Sequence, residues 1–272
     1  MKKRTHNQLL ALALAFVSLL LPGVVHAQFL LDWDLYDTSD WADGTLNGTF
    51  TNVNGSGVDV NVAVTGDTSY FESYAPRIRE VDANSPYGEK FLQFGNIDYT
   101  DSSSQSITVT LSFFETGTTN PVELSAFSFQ FFDIDTTYNT NNSSLVNYND
   151  RMTFSGSPTI TEVITTGRSS PTHSILGNVV QAWDGTLPRD SHAIPALGLN
   201  DLEGAVNVSY LNGGSVFSFV YDNGPNTVTN SVGQNVGIYD LNFTPVPEPA
   251  SLVFLASGSL ALLCRRPRRR TA

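Results

Sequence analysis

Ile107-Thr108-Val109-Thr110-Leu111-Ser112-Phe113 alternates apolar residues with hydroxyl-bearing ones along its whole length. Successive side chains of an extended chain point to opposite faces, so this pattern makes one apolar face and one wet face, which marks a half-buried β-strand. The same period recurs in Val58-Asp59-Val60-Asn61-Val62-Ala63-Val64, in Phe127-Ser128-Phe129-Gln130-Phe131 and in Val216-Phe217-Ser218-Phe219-Val220. Further strands are expected at Leu46 to Asn52, Phe91 to Phe94, Thr159 to Thr165, Val179 to Trp183, Ala205 to Tyr210 and Val236 to Phe243. Clusters such as Asn54-Gly55-Ser56-Gly57 and Asn212-Gly213-Gly214 supply the turns between them. No run of helical period stands out between residues 28 and 245. About ten half-buried strands with turn-rich links predict an all-β fold, an antiparallel β-sandwich of jelly-roll-like kind.

Working outward, the 272-residue chain has two apolar ends, and the charges divide accordingly. Of 14 Lys and Arg, only Arg77, Arg79, Lys90, Arg151, Arg168 and Arg189 lie between Gln28 and Val246, whereas Glu248 is the one acid of 26 outside that region. The middle region is therefore strongly acidic. Such a surface attracts cations and repels anionic lipid and nucleic acid, so no nucleic-acid partner is expected. Cys264, the single cysteine, lies in the C-terminal apolar run, which leaves the middle region without an internal disulfide or a thiolate metal site.

Residues 1–27 have the plan of a secretory signal peptide. Lys2, Lys3 and Arg4 precede the apolar run Leu9 to Leu21, Pro22-Gly23 break it, and Val25-His26-Ala27 offers small residues to a signal peptidase, with the cut expected after Ala27. At the other end, Val246-Pro247-Glu248-Pro249 leads into the apolar run Ala250 to Cys264 and then Arg265, Arg266, Arg268, Arg269 and Arg270. As a helix that run spans about 22 Å at roughly 1.5 Å per residue, short of the roughly 30 Å hydrocarbon core, so local thinning or snorkelling arginines must help it cross. Positive charge is retained on the cytoplasmic side, which places the middle region on the far side of the membrane.

The tail of residues 245–272, with Pro247, Glu248 and Pro249, a short apolar span and terminal arginines, resembles the PEP-CTERM sorting domain of exported proteins of Gram-negative bacteria that make extracellular polysaccharide. The resemblance implies processing by an exosortase, a membrane-embedded cysteine transpeptidase that cuts near the motif, and only transient residence in the inner membrane through the C-terminal hydrophobic helix. Two prolines deny the motif both a helix and a hydrogen-bonded strand, which leaves Glu248 on extended, accessible backbone. The segments around Trp33 and Trp41, Gly55 to Val60, Phe131 to Asp135 and Gly233 to Phe243 also look like β-sandwich ectodomains of PEP-CTERM and other secreted bacterial proteins. That likeness supports a domain at residues 28–244 and implies no activity.

Within the domain, the row Phe127, Phe129, Phe131 ends on the same face in Asp133 and Asp135. Carboxylates do not sit unpaired beneath a sandwich, so both belong at the rim. There they meet Asn149 and Asp150 as candidate ligands for Ca²⁺, a hard cation that takes carboxylate, amide and carbonyl oxygens. No EF-hand spacing is present, and carboxylates capped by backbone N–H groups or water explain the pattern equally well. Asp32 and Asp34, around Trp33, form a second, weaker pair. The stretch Thr136 to Asp150 reads as a long excursion between strands. Trp33, Trp41, Trp183, Tyr138 and Tyr148 are candidate rings for stacking a sugar, with core packing as the competing role.

Catalytic patterns are weak. His173 and His192 lie in Pro-containing stretches with no nucleophile motif beside them, and carboxylate pairs are too numerous to single out a glycosidase. The expected function is that of a non-enzymatic exported surface or extracellular-matrix protein associated with extracellular polysaccharide and biofilm. A calcium-assisted carbohydrate-binding module is the alternative, and a secreted hydrolase stands third.

Overall fold

The computed structural model describes residues 27–71, 75–80, 90–97, 105–138, 146–163, 173–185, 205–211, 213–225, 227 and 234–246. Gln28–Val246 forms one compact unit. Its strands are β1 (Phe29–Leu31), β2 (Asn47–Phe50), β3 (Val58–Gly66), β4 (Arg77–Glu80), β5 (Lys90–Ile97), β6 (Ser106–Glu115), β7 (Leu124–Phe132), β8 (Thr136–Tyr138), β9 (Val146–Phe154), β10 (Thr159–Glu162), β11 (Ser174–Leu176), β12 (Val179–Gln181), β13 (Val206–Tyr210), β14 (Val216–Asn223), β15 (Gln234–Ile238) and β16 (Leu241–Pro245). Among the described residues there is no α-helix, and no helix long and apolar enough to cross a membrane. The signal segment before Ala27, the motif Pro247, Glu248 and Pro249, and the tail arginines lie outside the described residues.

Two sheets result, and all ladders between these strands are antiparallel. The first runs β1-β16-β7-β15-β5-β4, with β13 on the free side of β7 and β10 beyond it. The second runs β11-β12-β9-β14-β6-β3-β2, with β8 added to β9. From β5 onward the chain passes repeatedly from sheet to sheet, so β5, β15, β7 and β13 are neighbours in one sheet, and β6, β14, β9 and β12 in the other.

The alternation of β6 survives intact: Ile107, Val109, Leu111 and Phe113 are buried, and the hydroxyl-bearing residues between them are half-buried. Those apolar residues meet the inward row of β7, with Phe113 and Phe127 ring centroids 5.2 Å apart, and Phe131 packs edge-on against Phe219 of β14 at 4.6 Å. Each fully buried Phe contributes roughly 1.5–3 kcal/mol of transfer free energy, so this aromatic layer supplies much of the cohesion that a disulfide-free domain needs.

Phe132 departs from the alternation. It is buried on the outer face of its sheet, 4.7 Å from Phe91 and 4.4 Å from Tyr239. Opposite it in register sits Gly237, where an added Cβ would lie 2.1 Å from the Phe132 ring. Glycine is thus required by close approach.

Three expectations need correcting. Val236 to Phe243 is two strands, because Tyr239 N donates to Gln130 O and Asp240 Oδ1 accepts Trp33 N, which turns the chain between β15 and β16. Thr159 to Thr165 is regular only as far as Glu162 among the described residues. Thr136 to Asp150 is not simply an excursion: it opens with β8 and ends inside β9, a central strand bonded to β12 and β14. Its Asn149-Asp150 pair is buried and breaks the two-residue period, which hides the strand from a pattern search.

The ladders define two ends of the sandwich. The lower end holds Glu115, Leu124, Val216 and Pro245, where β16 leaves the sheet. The upper end holds Phe132, Asp150, Asn223 and Gln234. Strand β1 pairs with β16, Phe29 opposite Phe243 and Leu31 opposite Leu241, so the first strand of the unit is held by the last.

Candidate functional site

The upper end carries the cluster of polar side chains on which a functional reading turns. After β7 the backbone turns at Asp133, which adopts a left-handed φ of 64°, and continues through Ile134 and Asp135 into β8. Asp135 and Asp150 bind each other through the main chain: Asp150 N donates to Asp135 O at 3.0 Å, and Asp135 N donates to Asp150 Oδ2 at 3.0 Å. Asp150 is fully buried, and its other oxygen accepts Tyr221 Oη at 2.6 Å and Gln234 Nε2 at 3.1 Å. Because β9 and β14 belong to one sheet and β15 to the other, this one carboxylate ties the two sheets together.

The electrostatics of the cluster are unfavourable to three ionised acids. Burial, then the neighbouring Asp135 charge, push the Asp133 carboxyl well above the usual carboxylate range, with Arg79 pulling it back. Burial and Asp135 likewise push Asp150 up, against the hydrogen bonds from Asp135 N and Tyr221. Tyr148 donates to Asp135, and burial together with the charges of Asp135 and Asp150 drives its phenol far above the ordinary range.

Nearby, His173 is buried, with Nδ1 2.7 Å from Glu162 Oε1 and Nε2 3.0 Å from Ile134 O. Both ring nitrogens face acceptor oxygens, so the ring holds the Ile134 turn in place. His192 lies outside the described residues.

The sequence-predicted ligands are only partly brought together. Asp133, Asp135 and Asp150 are neighbours, as the coupling of their charges requires. Asn149 is not directed at them, and this corrects its place in the set. Its Oδ1 accepts Trp183 N at 2.9 Å, and its Nδ2 donates to Trp183 O at 2.7 Å and Pro225 O at 3.2 Å. Neighbouring residues on a strand point to opposite faces, so Asn149 and Asp150 could not share one site. Among the described residues, no three His, Cys, Asp or Glu side chains alone surround a point that would hold a metal ion. Asp32 and Asp34 cap backbone: Asp32 Oδ1 accepts Asp34 N, and Asp34 Oδ1 accepts Lys90 N.

The aromatic candidates also need correction. Trp33, Trp41 and Trp183 are 0, 1 and 5 % exposed, so none offers a ring face to a sugar. Trp41 stacks parallel to Phe50 and lies over Gly48, and Trp33 meets Phe50 edge-on. Tyr148 is half-buried and commits its hydroxyl to Asp135, while the Tyr138 side chain lies outside the described residues. Sequence reasoning missed Tyr221, Asn223 and Gln234. The Asp222-Asn223 pair at the end of a strongly alternating strand was the available signal for one of them.

The lower end has a different character. An open recess of about 430 Å³ is lined by Ser155, Gly156, Tyr210, Leu211, Gly214 and Val216, among others, with Leu211 and Val216 exposed at its margin. Among the described residues its lining includes no carboxylate or imidazole.

No family model and no curated protein matches the chain. Among solved structures, the adhesin domain of PrgB from Enterococcus faecalis superimposes with a TM-score of 0.37 at 14 % identity, covering 71 % of this chain and 62 % of that one. The same domain bound to DNA gives 0.35 at 13 %, covering 71 % and 66 %. The N-terminal domain of the Streptococcus gordonii adhesin Sgo0707 gives 0.32 at 12 %, covering 82 % and 50 %. These are partial superpositions. The exclusion of nucleic acid as a partner is withdrawn in light of the DNA-bound adhesin domain. It rested on net charge, which sums the whole surface and describes no single face.

Proposed function

We propose that the chain is a non-enzymatic exported surface or matrix protein, sorted by an exosortase through Pro247-Glu248-Pro249 and associated with extracellular polysaccharide. The observation that carries this reading is the pairing of β1 with β16. The folded unit opens just after the expected signal cleavage at Ala27 and is completed at Pro245, just before the motif, so both processing steps leave the sandwich whole. In this reading the strands β5 to β15 follow a jelly-roll order, which suits a stable passenger presented outside the cell. The carbohydrate-module alternative loses its support in the three tryptophans, which are spent on the core.

The test is fractionation of a Gram-negative host with and without an exosortase. With the enzyme, the protein is expected in the surface and polysaccharide fraction, lacking residues 1–27 and the tail. Without it, or with Pro247, Glu248 and Pro249 all changed to Ala, the tail should hold the protein at the inner membrane. An intact chain in the cytosol, or the same distribution in all three cases, would overturn the proposal.

A further inference from the structure

We infer that the lower end of the sandwich is a lipid-contacting surface, which meets a zwitterionic bilayer through Leu211, Val216 and Val246 while the tail is still attached. The inference deepens the sorting role and rests on the membrane passage proposed there for the tail.

The place where the chain leaves the domain comes first. Strand β16 ends at Pro245, and Val246 N donates to Glu123 O at 2.8 Å, so the exit is fastened beside the start of β7 at the lower end. Only Pro247-Glu248-Pro249 separates Val246 from Ala250, the first residue of the apolar run. A chain advances at most about 3.3–3.6 Å per residue, so four steps bring Ala250 no further than about 14 Å from Val246. The headgroup layer on each side of a roughly 30 Å hydrocarbon core is itself about 5–8 Å deep. With the apolar run in the bilayer, the lower end can stand clear of the headgroups by no more than about the depth of that layer.

What the lower end exposes is a second, independent observation. Leu211, Val216 and Val246 are 74, 56 and 46 % exposed. Exposed apolar side chains scattered singly need no explanation, but these three surround the exit. Leu124 N donates to Gly214 O at 3.0 Å, which sets the turn before Val216 against the Glu123-Leu124 backbone that also holds Val246. Leu211 lies between the recess of about 430 Å³, which Val216 lines, and a smaller one of about 160 Å³ lined by Thr244 of β16.

Charge chooses the lipid. The Lys and Arg among the described residues, Arg77, Arg79, Lys90 and Arg151, lie on β4, β5 and the upper part of β9, whereas Glu115 and Glu123 lie at the lower end. Two carboxylates with no described cation beside them repel an anionic headgroup, so a zwitterionic surface is the partner that fits. A few apolar side chains bind a bilayer only weakly on their own, and the covalent tail supplies the effective concentration that makes the contact persist. Removal of the tail then frees the domain, as sorting to the surface requires.

The test uses the full chain with Cys264→Ser, so that a cysteine introduced at one position carries a polarity-sensitive fluorophore, reconstituted into phosphatidylcholine vesicles. Flotation comes first: a chain that does not float with the vesicles overturns the membrane passage of the tail and this proposal with it. In floated protein, labels at Leu211→Cys and Val216→Cys should emit at shorter wavelength than a label at Thr65→Cys, an exposed residue toward the upper end of β3. Nitroxide-labelled lipid should quench the two lower labels at least about twofold more strongly than the upper one. Replacing part of the lipid with phosphatidylglycerol should reduce that quenching, and equal or stronger quenching overturns the zwitterionic assignment. Floated protein in which the lower labels match the Thr65→Cys label overturns the lipid contact and leaves the sorting reading standing. A blue shift without quenching by lipid assigns the surface to a second copy of the chain and overturns the proposal as well.

Discussion

The two ends of the sandwich bury carboxylates in opposite ways. At the lower end Asp59, 6 % exposed, accepts Asn52 N at 2.7 Å and Gly117 N at 2.9 Å. Burial works against its ionisation, but these two bonds and one from the Thr116 side chain outweigh it and hold the carboxyl below the usual range. At the upper end Asp133 and Asp150 lie deep in the fold and face Asp135, and both are pushed upward, by burial first and by that charge second. Depth and neighbours act together: Asp59, near the surface, is ringed by donors that outweigh a modest burial penalty, whereas the two upper acids are deep and face another carboxylate. Asp59 is finished by the fold itself, a charge-bearing staple between the β2–β3 and β6–β7 turns. In the upper cluster burial and the facing charge favour the protonated acids Asp133 and Asp150.

The largest expected effect comes from breaking the better-connected acid at the upper end. Asp150→Ala leaves Tyr221 Oη and Asp135 N without their acceptor and removes one of the two bonds by which Gln234 Nε2 joins the sheets, the other being to Asn223 Oδ1. A loss of about 3–5 kcal/mol in urea unfolding is expected. Asp59→Ala removes the acceptor for two backbone donors near the surface, and about 1–3 kcal/mol is expected by the same measurement. An equal or reversed order of the two losses would break the comparison.

A pH series sharpens it further. In chelator, the native state holds protons on Asp133 and Asp150 that the unfolded chain releases near the ordinary aspartate value of about 3.9. Stability of the metal-free chain should therefore fall as pH rises from about 4 toward the raised native values. Asp59 acts in the other direction: its contribution is complete above about pH 4 and is lost only as pH falls through its depressed native value. Between pH 5 and 8 the upper end should therefore give urea midpoints a downward slope, to which Asp222, also raised by burial, adds. Asp133→Asn, the smallest expected effect, should raise metal-free stability at pH 8 by about 1 kcal/mol or less and reduce the slope. A lowered midpoint in that variant would show that Asp133 is already satisfied.

Most of the fold was legible because it rests on long alternating runs. The strands around Val60, Leu111, Phe129 and Phe219 each bury one face as the period requires. What escaped were strands whose burial is polar. In β9, Asn149 and Asp150 are both inaccessible, one holding Trp183 and Pro225 and the other holding Tyr221 and Gln234, and no hydropathy period reports hydrogen-bonded burial. Strands β1, β4 and β11 are short edges; β1 is paired by the distant Phe243, and β4 and β11 by the next strand in the chain. The candidate site was half legible. Asp133 and Asp135 were marked by the end of the Phe127 row, but Gln234 comes from roughly a hundred residues later in the chain, and only the sheet topology brings it there. The tryptophans misled for a related reason: ring chemistry suits both a sugar and a core, and packing against Phe50 chose the core.

The most direct measurement follows the side-chain carboxyl ¹³C signals of Asp59, Asp133 and Asp150 across pH in the chelator-treated protein. Asp59 should titrate below the ordinary aspartate range, and Asp133 and Asp150 above it, with the two upper signals moving together. Coincident midpoints for all three carboxyls would contradict the account.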